Sequence, residues 1–361
     1  MKTRQENVNV RSGFWSEPGL ASEIASSKAE VKESTLRIVV TGSLAYDYIM
    51  DFPGDFKDHI LPDKAHMLSV SFLVDSMRRM RGGVAGNIAY SLALLGERPL
   101  VVASAGGDFG EYREWMERHG IDASGIVETE DDFTASCFIN TDKSNNQLVA
   151  FYPGAMVRAK EISLLDLDLD TDDLVVISPT DPEAMTRYAD ECRQLGVPFL
   201  FDPGKQTPRL EGDEILAGLE GASVLISNDY EFAMMAQKTG KTEEELISAA
   251  PLTVVTRGKQ GSMLYTAEAD GGVVKIPVAP IEDVVDPTGA GDAYLGGLVF
   301  GLARGFSLEV VGRVAALAAA YAIERRGCQE HRFTPAQFAE RYTSAFGPSP
   351  EIEALAEPAK R

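Results

Sequence analysis

The tightest constraint on the fold is a set of short, uninterrupted apolar runs that recur with helical segments between them. Leu174-Val175-Val176-Ile177 has no polar residue for either face of an extended chain, so as a strand it needs cover on both sides. Comparable buried strands are expected at 100–103, 198–201, 224–227 and 252–256. The folded part opens with Leu36-Arg37-Ile38-Val39-Val40-Thr41-Gly42, a β-branched run ending at glycine. Helical patterns fall between the runs at 86–95, 109–119, 182–195, 230–238 and 243–249. Such an alternation builds a three-layer α/β/α domain around a mostly parallel sheet. Two long helices are expected at 292–304 and 308–326, the second rich in alanine. A last helix begins near Pro335, and the chain beyond Pro348 should fray.

Two regions interrupt the alternation. In 46–74 and 134–152, strand-like segments follow one another with no helix between them, so they read as antiparallel extensions forming a small β lid. Such a lid closes a cleft and excludes water. The chain then divides into an extension over 1–34, flexible or packed on the surface, a main domain over 35–345, and a tail over 346–361.

The charge balance narrows the partners. With 34 Lys+Arg against 55 Asp+Glu, the formal net charge of −21 repels nucleic acid and anionic membranes. A phosphorylated ligand is still compatible, because a few backbone N–H groups can make a local anion site. Cys137, Cys192 and Cys328 are far apart, and the four histidines show no zinc spacing, which points to reduced thiols in a cytoplasmic protein. The apolar stretch 314–323 is too short to span a bilayer.

The stretch richest in chemistry is Asp286-Pro287-Thr288-Gly289-Ala290-Gly291-Asp292-Ala293, just before an apolar helix. Small residues there leave the first helical N–H groups uncovered for an anion. Asp292, stabilised by the helix dipole, should be ionised at neutral pH. A carboxylate beside bare amides suits phosphoryl transfer to an alcohol: the carboxylate takes the hydroxyl proton while the amides stabilise the moving group. An aspartate that merely caps a helix after a glycine turn has the same local spelling. No other phosphate loop competes, since Gly204-Lys205-Gln206 and Gly258-Lys259-Gln260 lack the hydroxyl residue a P-loop requires.

The 286–292 segment resembles the C-terminal signature of the ribokinase-like (PfkB) carbohydrate kinases, and Arg81-Gly82-Gly83-Val84-Ala85-Gly86-Asn87-Ile88-Ala89 resembles the N-terminal one. Asn228-Asp229-Tyr230-Glu231, Thr256-Arg257-Gly258 with Gly261, and Tyr152-Pro153-Gly154-Ala155 follow the family's order, so the likeness spans roughly 36–340. It implies a ribokinase-like domain with Asp292 as base and Gly289, Ala290 and Gly291 as anion hole. Asp47, Gly82, Gly83 and Asn87 would hold the acceptor's hydroxyls. Asn228 and Glu231 would act near the ATP phosphates, Glu231 on Mg²⁺ through water, and Thr256, Gly258 and Gly261 would shape the nucleotide loop. Asp286 and Thr288 resemble positions near a monovalent cation, K⁺ in several members.

Val84 stands where sugar-kinase members usually carry lysine, which moves the expected acceptor away from free sugars. The wording around 42–47, 61–63, 71–73, 152–156 and 329–333 is closer to bacterial adenosine-kinase-like members. The expected reaction is therefore transfer from ATP to the 5′-hydroxyl of adenosine. Inosine, guanosine, cytidine, ribose and fructose are the alternatives, and Phe72, Phe138 and Phe151 are candidates to sandwich a purine. Monomer and homodimer both remain open.

Overall fold

The computed structural model describes residues 36–60, 67, 69–267 and 272–356. The expected extension over 1–34 and the 61–63 segment lie outside them.

Nine strands form the main sheet. They are β1 (Ile38–Thr41), β4 (Leu100–Gly106), β5 (Ile126–Thr129), β8 (Leu174–Ile177), β9 (Phe199–Phe201), β10 (Val224–Asn228), β11 (Leu252–Thr256), β12 (Ser262–Thr266) and β13 (Val273–Ile276). Their order is β13-β12-β11-β10-β9-β8-β1-β4-β5, parallel from β11 through β5 and antiparallel at β12 and β13.

The apolar runs explain the layering. In β1, Ile38 and Val40 pack into one core while Val39 packs into the other, and Val176 of β8 opposes Val175 and Ile177 in the same way. One face carries α3 (Pro182–Leu195), α4 (Gly212–Leu219), α5 (Asp229–Thr239) and α6 (Glu243–Ile247). The other carries α1 (Val84–Leu94), α2 (Gly110–Arg118), α7 (Ala290–Ala303), α8 (Leu308–Ile323) and α9 (Pro335–Phe346). Right-handed crossovers account for this split: the chain steps from β8 to β11 in one direction and from β1 to β4 in the other. The reversal beside β1 opens a crevice at the carboxyl ends of the strands, where α/β sheets bind ligands.

The lid is a second sheet of β2 (Ala45–Asp51), β3 (Ser76–Gly82), β6 (Ala135–Thr141) and β7 (Gln147–Tyr152), in the order β3-β2-β6-β7. It corrects the sequence expectation twice. β3 lies beyond the 46–74 region, because its arginines suit a solvent-facing edge and hide the strand pattern. The two hairpins are antiparallel, yet they join through a parallel pairing of β2 with β6.

The terminal segment differs as well. Instead of fraying, Pro350–Ala356 forms α10. Ile352 is 1% exposed within the core beside α9, and Glu351 accepts a hydrogen bond from the Ser307 N–H at 2.6 Å. One buried apolar anchor is enough to hold a short helix that would be marginal alone.

His331 is 1% exposed, edge-on to Tyr90, and neither ring nitrogen has a partner among the described residues. Burial lowers its pKa to about 4. The unfolded chain therefore binds the proton first as pH falls from about 6.5, and the folded state loses stability down to about 4. In chemical denaturation at stepped pH, wild type should lose on the order of 3 kcal/mol relative to His331→Phe across that window. Parallel curves for the two proteins contradict it.

Candidate active site

Asp292 is the third residue of α7 and lies partly buried at the crevice. Gly289 caps this helix with φ 78, a left-handed conformation that glycine adopts without penalty. The N–H groups of Gly289, Gly291 and Asp292 have no acceptor among the described residues, and a Cβ on Gly291 would meet only open space. The Ala290 amide, expected to join this group, instead leans back to the Pro287 carbonyl at 3.3 Å. Three bare amides therefore face the crevice beside one carboxylate, an arrangement that attracts an anion.

Asp292 is held from α1. Asn87 Nδ2 donates to its Oδ2 at 2.7 Å, and Oδ1 has no partner among the described residues. Burial raises the carboxyl to about 6, offset by the Asn87 bond and by Lys205 and reinforced by Asp47 and Glu231. The helix dipole does not hold it low, as the bare sequence suggested, yet at pH 7 it remains mostly ionised.

Asp47, on β2, closes the opposite side. Burial and then the charge of Asp286 raise it to about 6. Gly82, the register partner of Ala45, lies diagonally across from it: a Cβ there would lie 2.5 Å from Asp47 Oδ2. Gly83, with φ 87, starts α1, and a Cβ would strike Ser43 O, Leu44 Cα and Ala45 N at 2.6 Å. Both glycines are thus fixed by crowding under the lid hinge.

Asn228 and Glu231 open α5 as a capping box, with the Glu231 N–H donating to Asn228 Oδ1 at 2.8 Å and Glu231 Oε2 facing the Asn228 N–H. Thr256 is the register partner of Asn228 on the adjoining strand, so these two motifs leave the sheet side by side. Gly258 and Gly261, with φ 51 and 84, shape the turn that follows. Asp286 accepts from the Thr288 N–H and the Gly327 N–H, both at 3.0 Å, and so braces the loop before α7 against the loop after α8. Both of its oxygens are engaged by amides. Thr288 contributes that N–H and is itself exposed.

Two residues were missed from sequence. Asp202, directly after β9, is pushed well above the usual carboxylate range by burial and by the charges of Glu231 and Asp292. Lys205, in the next turn, supplies positive charge to both Asp202 and Asp292. Among the described residues no group of three acidic, histidine or cysteine side chains forms a metal cage. Glu231 beside Asp202 instead suits Mg²⁺, which keeps its waters and draws other ligands from phosphates.

The aromatic expectation changes too. Phe72 packs edge-on against Phe52 and Phe56 inside the lid. Phe138 is adjacent to Cys137, the register partner of Asp47, so it points to the opposite face and stacks on Tyr48 at 4.9 Å. Phe151 is the partner of Cys137 and shares the Asp47 face with Met80, Ile49 and Ile139.

A half-buried carboxylate beside bare helix-end amides, with a second carboxylate on the lid, is an arrangement compatible with a phosphotransferase that acts on an alcohol. The chain belongs to the pfkB family of carbohydrate kinases, whose model matches residues 37–335. It is 31% identical over 318 residues to a nucleoside kinase of Methanothermobacter thermautotrophicus, spanning 87% of this chain and 98% of that one. The solved Burkholderia thailandensis nucleoside kinase in complex with inosine is 36% identical, with TM-score 0.77 over 86% of this chain and 98% of its own. The Methanocaldococcus jannaschii nucleoside kinase, described as an archaeal member of the ribokinase family, is 28% identical with TM-score 0.76 over 85% and 98%. The fold is ribokinase-like. Among the described residues no helix is long and apolar enough to cross a membrane.

The two glycines flanking Ala290 differ in both conformation and space: a Cβ on Gly289 would also lie 3.0 Å from Cys328 Cβ, whereas one on Gly291 meets nothing. Gly289→Ala should lower stability by about 1–2 kcal/mol, because alanine is strained in the left-handed region. Gly291→Ala should leave stability unchanged or raise it by up to about 1 kcal/mol. Thermal melts check both, and equal losses contradict the assignment.

Proposed function

We propose that the protein transfers the γ-phosphoryl group of ATP to the 5′-hydroxyl of a nucleoside, with adenosine as the acceptor. The observation that carries the chemistry is Asp292, partly buried beside three unbonded amides and held by one oxygen only. Its free Oδ1 takes the 5′-hydroxyl proton as the oxygen attacks the γ-phosphorus. The bond from that phosphorus to the bridging β-γ oxygen breaks, and ADP leaves. The amides of Gly289, Gly291 and Asp292 receive charge on the moving group, and Lys205 adds positive charge beside them. Asp47 and Asn87 orient the ribose, with Gly82 and Gly83 allowing it close to the backbone.

Asn228, Glu231 and Asp202 gather polar and negative groups where Mg²⁺ would sit among the nucleotide phosphates, and Mg²⁺ would there neutralise phosphate charge. Thr256, Gly258 and Gly261 form the loop assigned to the nucleotide. At Asp286 and Thr288 a monovalent cation would compete with two N–H groups or draw on loop carbonyls, and activity with and without K⁺ tests that role.

The preference for a nucleoside over a sugar rests on the lid and on the relatives. Met80, Ile49, Ile139, Cys137 and Phe151 form an apolar face around Asp47, which suits a heterocycle better than a bare sugar. Two nucleoside kinases match nearly full length at 31% and 28% identity, whereas ribokinases that match as fully are 18% to 22% identical. Inosine is the second reading, favoured by the ligand of the Burkholderia relative.

ADP release at fixed MgATP across adenosine, inosine, guanosine, cytidine, ribose and fructose tests the acceptor. The highest kcat/KM should fall to adenosine, and any sugar exceeding all nucleosides contradicts the class. Asp292→Asn should keep acceptor binding and lower kcat by at least about 100-fold. Wild-type kcat/KM should fall on the acid side near pH 6, as Asp292 and Asp47 take up protons.

A further inference from the structure

The base is not held by Asn87 alone. Asn87 Oδ1 accepts from Gln329 Nε2 at 2.8 Å, and the same nitrogen donates to the Tyr112 hydroxyl at 2.5 Å. Tyr112 in turn donates to the Gly82 carbonyl at 2.9 Å. Gln329 is 4% exposed and Tyr112 is fully buried. The relay therefore runs through the interior from the lid hinge to the oxygen of the proposed base.

Each direction in this relay is forced by its ends. The Gly82 carbonyl can only accept, so Tyr112 must donate to it, and the Tyr112 oxygen must then receive a proton from Gln329. The second N–H of the same Gln329 nitrogen meets Asn87 Oδ1. That leaves the Asn87 nitrogen, and only the nitrogen, to face Asp292. Turned over, Asn87 would set a carbonyl oxygen against a carboxylate and raise the carboxyl further.

Two details show that the orientation is built in. Gln329 Oε1 is buried with no partner among the described residues, a cost of about 1–3 kcal/mol that accompanies the orientation of both N–H groups. A Cβ at Gly86 would lie 2.1 Å from the Tyr112 oxygen and 2.9 Å from Gln329 Nε2, so only glycine lets the relay pass the first turn of α1.

We propose that Gln329 is a positioning residue which, with Tyr112, sets the direction of the Asn87 amide and so holds Asp292 Oδ2, leaving Oδ1 for the acceptor's proton. This rests on Asp292 being the base. The titratable groups that face Asp292 from other elements are Asp47 on β2, Asp202 and Lys205 after β9, Glu231 on α5 and the Cys328 thiol after α8, which burial keeps neutral. Of these only Cys328, the neighbour of Gln329, touches the relay, through a side-chain hydrogen bond with Asn87, and Gln329→Met leaves all of these side chains in place.

The test is Gln329→Met in the full chain, with steady-state kinetics against a nucleoside that wild type turns over. We expect kcat to fall about tenfold or more while acceptor KM stays within about threefold. The acid limb of the kcat profile should move upward by about half a pH unit, since the donor that lowers the Asp292 carboxyl is no longer held on it. A lower melting temperature with unchanged kcat and acid limb overturns the proposal, because a merely structural glutamine gives that result. If Gln329→Met does not fold, Tyr112→Phe decides: it should shift the acid limb in the same direction, and an unshifted limb overturns the relay. Asp292→Asn keeps the two claims apart. Full turnover in that variant removes the base assignment, whereas a dead Asp292→Asn beside wild-type-like Gln329→Met removes only the relay.

Discussion

The site depends on how closely α7 approaches α1 on one side and α8 on the other. A Cβ on Gly296 would lie 2.7 Å from the Ser91 Cβ, and one on Gly297 would lie 2.8 Å from the Ala315 Cα. Glycine on α7 and alanine on α8 therefore set the spacing, and dispersion across these tight contacts fixes it. Only at this spacing do the first turns of α1 and α7 come near enough for Asn87 to reach Asp292. The alanine-rich character of α8 serves the same packing.

Electrostatics then follow from crowding of acids in a protein that is already strongly negative. Asp47, Asp202, Glu231, Asp286 and Asp292 form a chain of coupled acids, from Asp286 through Asp47 to Asp292 and on to Asp202 and Glu231, and burial raises three of them. An anionic nucleotide entering such a place would need compensation, and the bare amides and Lys205 are the groups beside Asp292 suited to give it. The same crowding brings Asp292 nearer to neutral pH, where a general base works best. A lid that removes water would strengthen every one of these interactions.

Much of this was legible in the sequence where local chemistry and global fold agree. The apolar runs at 174–177 and 252–256 match β8 and β11, and 182–195 matches α3, because buried strands and a capped amphipathic helix each have a strong local pattern. Gly289, Asp292 and Asn87 stand in motifs whose spelling reflects backbone geometry. What stayed hidden depends on register or on distance. Phe138 and Phe151 look alike in a list of aromatics, and only the pairing of β2 with β6 and of β6 with β7 puts one behind the sheet and the other beside Asp47. Tyr112 and Gln329 meet across 217 positions. Asp202 directly follows the strand expected at 198–201, and an aspartate at a strand's carboxyl end was a signal available in principle. β3 and α10 were lost to charge and to position near the end of the chain.

The most direct test is a crystal structure with a nucleoside and a non-hydrolysable ATP analogue bound together. The account predicts the 5′-oxygen within about 3 Å of Asp292 Oδ1, the terminal phosphate against the amides of Gly289 and Gly291, and the base along the Phe151 face of the lid. A nucleoside bound with its 5′-oxygen turned away from residue 292, or a terminal phosphate outside reach of those amides, contradicts it.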